Sequence, residues 1–171
     1  MATHSTLSHT RASLLHSGYS PTIRFFLEKE NTCAVMEDLI IEGTNISPKV
    51  SFEPNRNLLE IGGYSRPENV RDFYYPIISW LENYRKATVE QVNLKQHSEP
   101  VTFKFKFIYF NSSSAKFIYD IVIELSEFQR AGVPLKIYWY FDEDDEELRE
   151  AGEELSDMAR VPFTYVEIKQ Q

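Results

Sequence analysis

A single cysteine, Cys33, in 171 residues leaves no partner for an internal disulfide and no second thiolate for a cysteine-based metal knuckle. A reducing compartment, the cytoplasm, is the natural setting for such a chain. Long apolar runs are missing as well. None approaches the roughly 20 residues of a membrane-spanning helix, so no membrane role is expected. Basic charge is scarce: 18 Lys and Arg stand against 26 Asp and Glu, a formal net charge of −8. Nucleic-acid binding is disfavoured on that balance, because phosphate neutralisation needs a basic face. Glycine is sparse, six in all, and Gly62-Gly63 reads as a turn ending a strand, not as a phosphate-cradling loop. No glycine flanks Ser112 to Ser114 to make a nucleophile elbow. Histidine is almost absent from the patterned region. His97 stands alone in a polar linker, so a Ser-His-acid arrangement would hang on one loop residue.

What is present is a well-stocked core. The chain is 42% hydrophobic and 14% aromatic, enough for one globular domain with a tail. Residues Met1 to Val35 read differently from the rest: acids are absent before Glu28, Ser, Thr and His are frequent, and Arg11 and Arg24 are the early charges. His4, His9 and His16 lie here without ligand partners of other types. The composition is compatible with a transit-like presequence. The abrupt onset of patterning at Met36-Glu37-Asp38 favours instead a disordered or non-native extension, with one domain over residues 36–171.

From Leu39 the pattern is dense. Leu39-Ile40-Ile41, Lys49 to Phe52 and Leu58 to Ile61 are short apolar or alternating runs separated by turn-forming residues, which predicts an antiparallel meander. Ser65-Arg66-Pro67-Glu68 has capping-box spacing before a helix carrying Val70, Phe73, Tyr74, Ile77, Leu81 and Tyr84 on one side. Pro76 is expected to kink it, and a polar linker to run from Thr88 to Pro100. Val101, Phe103, Phe105, Phe107 and Tyr109 alternate with polar residues as in a strand with one buried face. Ile118, Ile121, Val122, Leu125 and Phe128 then recur at helical spacing, Gly132 suits the C-terminal cap, and Leu135, Ile137, Trp139 and Phe141 alternate again. A last helix follows, opened by Asp142 to Glu147, and Val161 to Ile168 closes the chain as a strand. The predicted class is α/β: a mixed sheet with an antiparallel N-terminal meander, a parallel β-α-β unit and about three helices.

Parallel pairing in that unit brings the ends of both strands to one sheet edge. Asn111-Ser112-Ser113-Ser114 and Asp142-Glu143-Asp144-Asp145 are therefore expected as neighbours, at the edge where open α/β sheets place their sites. A serine at a helix N-terminus either caps the helix or carries a phosphate that the helix end helps to hold. The acidic run either complements the helix dipole as a solvated or partner-facing surface, or binds a hard cation, although its spacing does not match a calcium loop. Three functions fit these features: a phosphorylation-controlled binding module, a small acidic enzyme dependent on a divalent metal, or a structural interaction domain whose serines only cap a helix.

Three ordered segments carry a resemblance. Phe107-Ile108-Tyr109-Phe110-Asn111-Ser112-Ser113-Ser114-Ala115-Lys116 resembles the phosphorylation-site segment of the SiaC family of bacterial regulatory phosphoproteins. Gly63 to Asn69 is similar to that family's stretch before the first helix. Tyr138 to Asp145, with Glu150-Ala151-Gly152-Glu153-Glu154 after it, is similar to a third. The resemblance they carry is read as covering Met36 to about Lys169. The resemblance implies a fold similar to the anti-anti-sigma (STAS-like) domains and a non-enzymatic partner-switching role without a cofactor. It also implies three partners: a cognate Ser/Thr protein kinase, a metal-dependent protein phosphatase, and an effector such as a diguanylate cyclase. The modified position of the family maps onto Ser112, with Ser where the best-known system has Thr, so Ser113 is the runner-up. Asn111, Ser113, Ser114, Lys116, Asp142, Glu143, Asp144 and Asp145 are the implied partner-binding residues.

Overall fold

A computed structural model of the chain describes residues 36–95 and 99–169. The extension Met1 to Val35, with its three histidines and Cys33, and the linker residue His97 lie outside the described residues. Within them the elements follow in the order β1 (Leu39–Ile41), β2 (Lys49–Glu53), a 3-10 turn (Pro54–Arg56), β3 (Leu58–Ser65), α1 (Val70–Asn93), β4 (Val101–Phe110), α2 (Ser112–Arg130), β5 (Leu135–Asp142), α3 (Glu146–Ala159) and β6 (Thr164–Ile168).

The six strands lie side by side in chain order. β1, β2 and β3 pair antiparallel, as the turn-separated short runs predict. From β3 to β6 every pairing is parallel, so the expected β-α-β unit is the middle one of three in succession. A parallel neighbour cannot be reached by a hairpin, and each return is a helix. Right-handed crossovers between successive neighbours all fall on the same side of a sheet, which stacks α1, α2 and α3 in one layer. Burial follows that layer. Phe52, Leu59, Ile61, Val101, Phe103 and Phe105 meet Tyr74, Ile77, Leu81, Ile118, Ile121 and Leu125 in one core. The opposite sheet face is polar, and there Glu60 bridges Lys104 at 2.9 Å and Lys106 at 2.7 Å. No helix among the described residues is long and apolar enough to cross a membrane.

Local expectations are corrected at three places, the end of the third strand, the cap of the first helix and the start of the linker. Gly62-Gly63 does not end β3: the strand continues to Ser65, with Gly63 at φ +93° and a register shift against β4 between Gly63 and Tyr64. Ser65 is consequently a buried strand residue, and α1 is capped by Asn69, whose side chain accepts from the Asp72 N–H at 3.2 Å. The helix passes through Pro76, which sits exposed in its second turn, and runs on to Asn93. Thr88, read as the start of the linker, is a buried helical residue whose hydroxyl bonds back to the Tyr84 carbonyl at 2.8 Å. Threonine tolerates a helix interior on those terms, because its hydroxyl is satisfied within its own helix.

Candidate functional site

Asn111, not a serine, is the N-cap of α2. Its side chain accepts from the Ser114 N–H at 2.9 Å, its carbonyl from the Ala115 N–H at 2.9 Å, and its own N–H bonds to the Ser65 carbonyl at 3.0 Å. The three serines occupy the first turn, and their fates differ. Ser112 and Ser113 are exposed, and neither hydroxyl has a hydrogen-bond partner among the described residues. Ser114 is fully buried. With the cap supplied by Asn111, the reading of Ser112 and Ser113 as plain caps does not hold.

Ser114 belongs to a closed hydroxyl chain. Its Oγ–H donates to the Ser65 carbonyl at 3.0 Å and its Oγ accepts from the Ser65 hydroxyl at 2.9 Å. The Ser65 proton is thereby committed, so the Tyr74 phenol must donate in the 2.6 Å contact with Ser65 Oγ. This chain ties the ends of β3 and β4 and the first turns of α1 and α2 together beneath the exposed serines. Ser114, an implied partner-binding residue, is therefore buried and holds the turn from inside. Burial pushes the Tyr74 hydroxyl up to about 12, against an ordinary value of 10.0. Its folded-state value lies above its unfolded one, so the native fold keeps a proton that the unfolded chain releases between pH 10 and 12. Stability from this group is full below that window and falls as pH rises through it. Tyr74→Phe is expected to cost about 1–2 kcal/mol at pH 7 through the lost donor, and to lessen the further decline toward pH 12. Urea unfolding of both proteins at pH 7 and pH 11 measures the two effects.

The second half of the site comes from β5. β4 and β5 run parallel with Val101 opposite Leu135 and Phe105 opposite Trp139, so Phe110 and Asp142 end at the same sheet edge and α2 and α3 both start there. The juxtaposition expected from topology is thus present. Within the acidic run the roles divide. Asp145 is the N-cap of α3, its Oδ1 accepting from the Leu148 N–H at 2.9 Å. Asp142 is half-buried at the end of β5, and Glu143 and Asp144 are exposed at the rim. Asp145 is occupied by the fold, leaving Glu143 and Asp144 as the freely presented pair. Lys116 is also exposed, one turn beyond Ser112, with its ammonium 3.0 Å from Asp120. Among the described residues, no group of three or more His, Cys, Asp or Glu side chains converges to hold a metal ion.

Sequence reasoning missed Ser65 and Tyr74, which position the turn, and an exposed patch beside it. Tyr64 pairs with Tyr109 across the bulge, and Tyr64, Ile108 and Tyr109 are all exposed. A signal for the patch exists in the chain: the alternation of β4 breaks into four consecutive apolar residues at Phe107 to Phe110. An extra residue in one strand turns two neighbours toward the same side.

A family model describing SiaC family regulatory phosphoproteins matches residues 41–168. An uncharacterized protein of Pseudomonas aeruginosa strain UCBPP-PA14 is 29% identical over 128 residues, which cover 75% of this chain and 94% of that protein. The solved structure of SiaC of Pseudomonas aeruginosa superposes with a TM-score of 0.64 at 27% identity, covering 78% of this chain and 100% of that one. The structure of the diguanylate cyclase SiaD in complex with its activator SiaC, from the same organism, matches with a TM-score of 0.66 at 27% identity, covering 77% of this chain and 100% of the matched one.

Proposed function

This chain belongs to the SiaC family of regulatory phosphoproteins, and from that premise we propose that it is a cytoplasmic, non-enzymatic switch whose partner choice is set by phosphorylation of Ser112. In its unmodified form it engages and activates a diguanylate cyclase. A cognate Ser/Thr kinase adds the phosphate and a metal-dependent phosphatase removes it. The observation that carries the reading is the exposed hydroxyl of Ser112, without a partner among the described residues, at the first position of a 19-residue helix already capped by Asn111.

The physics suits a switch. A phosphate adds roughly −1.5 to −2 charge and three acceptor oxygens. At Ser112 it would meet the unpaired N–H groups and positive dipole end of α2, so the fold tolerates it. Lys116 is spaced to reach it across one turn in exchange for Asp120. Glu143 and Asp144 at the neighbouring rim oppose it, and an interface that buries the dianion without a counter-charge pays heavily. The modification thus acts on the surface and leaves the hydroxyl chain beneath intact.

Mass spectrometry after incubation with the cognate kinase tests the site. Phosphate on Ser112 is expected; on Ser113 it would move the site by one residue and keep the mechanism. Modification confined to residues outside this turn would remove the reading. We further propose that the working unit starts near Met36. A protein beginning at Met36 is expected to match the full chain in thermal stability and cyclase binding, and a loss of several degrees or of binding would show that the upstream residues take part.

A further inference from the structure

We infer that the groove between α2 and α3 is a docking site for an amphipathic helix of a partner protein that bears Lys and Arg along one flank. The groove has a volume of about 310 Å³. Its apolar walls are Ala115 and Tyr119 of α2 against Ala151, Leu155 and Met158 of α3, with Phe110 at its base and Lys116 and Glu154 on its rims. Met158 is 59% exposed and continues the apolar surface of Leu155 and Ala151, so the patch is contiguous. Walls made of two helices, with apolar residues one and two turns apart, match the i, i+3, i+4, i+7 stripe of a third helix laid between them.

Charge selects the occupant. Asp142 to Arg160 holds ten carboxylates and two arginines, a net charge of −8. That is the formal net charge of the whole chain, so the remaining residues are balanced. Arg149 is already bonded to Glu146 and Glu153, which leaves Glu147, Glu150 and Glu154 exposed on α3 with no bonded cation among the described residues. An anionic membrane or a nucleic acid would be repelled by this wall, whereas a basic flank on a partner helix is attracted to it. Phosphorylation reaches the same place: Ser112, Ala115, Lys116 and Tyr119 are spaced i, i+3, i+4 and i+7, so Ser112 stands at the head of the groove on its own helix face. This deepens the switch reading by naming the partner chemistry, and it rests on that reading only for the link to Ser112.

The test titrates the unmodified full chain with a fluorescein-labelled peptide of about 18 residues, Leu in the i, i+3, i+4, i+7 stripe and Lys elsewhere, and follows backbone amide shifts by NMR. Saturable binding is expected, with shifts concentrated at residues 115–119 and 151–158. Met158→Asp and Ala151→Trp should each weaken it about tenfold or more, while Tyr109→Ala on the sheet side should not. A peptide with Glu in place of Lys should bind at least about tenfold more weakly. Shifts centred on Tyr64 and Tyr109, equal binding of the Glu peptide, or indifference to both groove variants would overturn the assignment. The peptide experiment judges the groove and the phosphate mapping judges the switch, so either can fail while the other stands.

Discussion

Under the proposed switch, Ser112→Ala protein should take up no phosphate from the cognate kinase at this turn and should bind a cyclase partner constitutively. Ser112→Asp should bind it at least about tenfold less, a change of about 1.4 kcal/mol or more. Neither variant should change stability by more than about 1 kcal/mol. The reason lies in the division of labour in the first turn of α2. Asn111 caps the helix and Ser114 holds it from inside, so the Ser112 side chain contributes little to the fold. An aspartate there sits where the helix dipole favours negative charge. Against a partner the same carboxylate must be desolvated or repelled. It carries less charge than a phosphate, so the effect of true phosphorylation should be larger. Chemical denaturation with cyclase pull-down or calorimetry separates the two quantities. If Ser112→Asp lost several kcal/mol of stability, the serine would be part of the scaffold and the surface argument would collapse. The corresponding change at Ser114 should behave in the opposite way, with Ser114→Asp failing to fold because it buries a charge in the Ser65–Tyr74 chain.

The second large effect is expected at two glycines whose hydrogens face rigid neighbours. A Cβ on Gly62 would lie 2.4 Å from the Lys106 carbonyl oxygen, backbone of the adjacent parallel strand. A Cβ on Gly152 would lie 2.6 Å from Trp139 Nε1. That indole is fully buried, hydrogen-bonded to the Leu148 carbonyl at 2.9 Å, and enclosed by Phe105, Phe107, Phe110 and Phe163. In an ordinary helix Gly→Ala stabilises by about 1 kcal/mol. Gly152→Ala should instead destabilise by about 2–3 kcal/mol, since the ring must move and its hydrogen bond break. Gly62→Ala should cost more, because a strand backbone cannot swing aside as a side chain can. The denaturant midpoint decides: a neutral or raised midpoint for Gly152→Ala would mean that α3 slides freely over Trp139.

Period-2 alternation in Val101 to Phe107, helical spacing in Ile118 to Phe128 and the turn-separated short runs before Ser65 determined by themselves the class of fold, the order of its elements and the shared sheet edge at which the strands before Ser112 and Glu143 end. Local periodicity encodes which face is buried, and chain order with crossover handedness leaves few ways to assemble the rest. The three family-like segments were legible for the same reason, since each is contiguous. The tertiary structure decided what depends on residues distant in the chain. Ser112, Ser113 and Ser114 are identical in type and adjacent, and only the phase of α2 against β3, 49 residues away, puts one inside and two outside. Ser65 changes from a helix cap to a buried strand residue because β4 is long enough to pair with it. Gly152 looks like a weak point of a helix until the indole beneath it is seen. The groove between α2 and α3 likewise has no local signature, because its two walls are more than a helix apart in sequence and become neighbours only when both cross over the same face of the sheet.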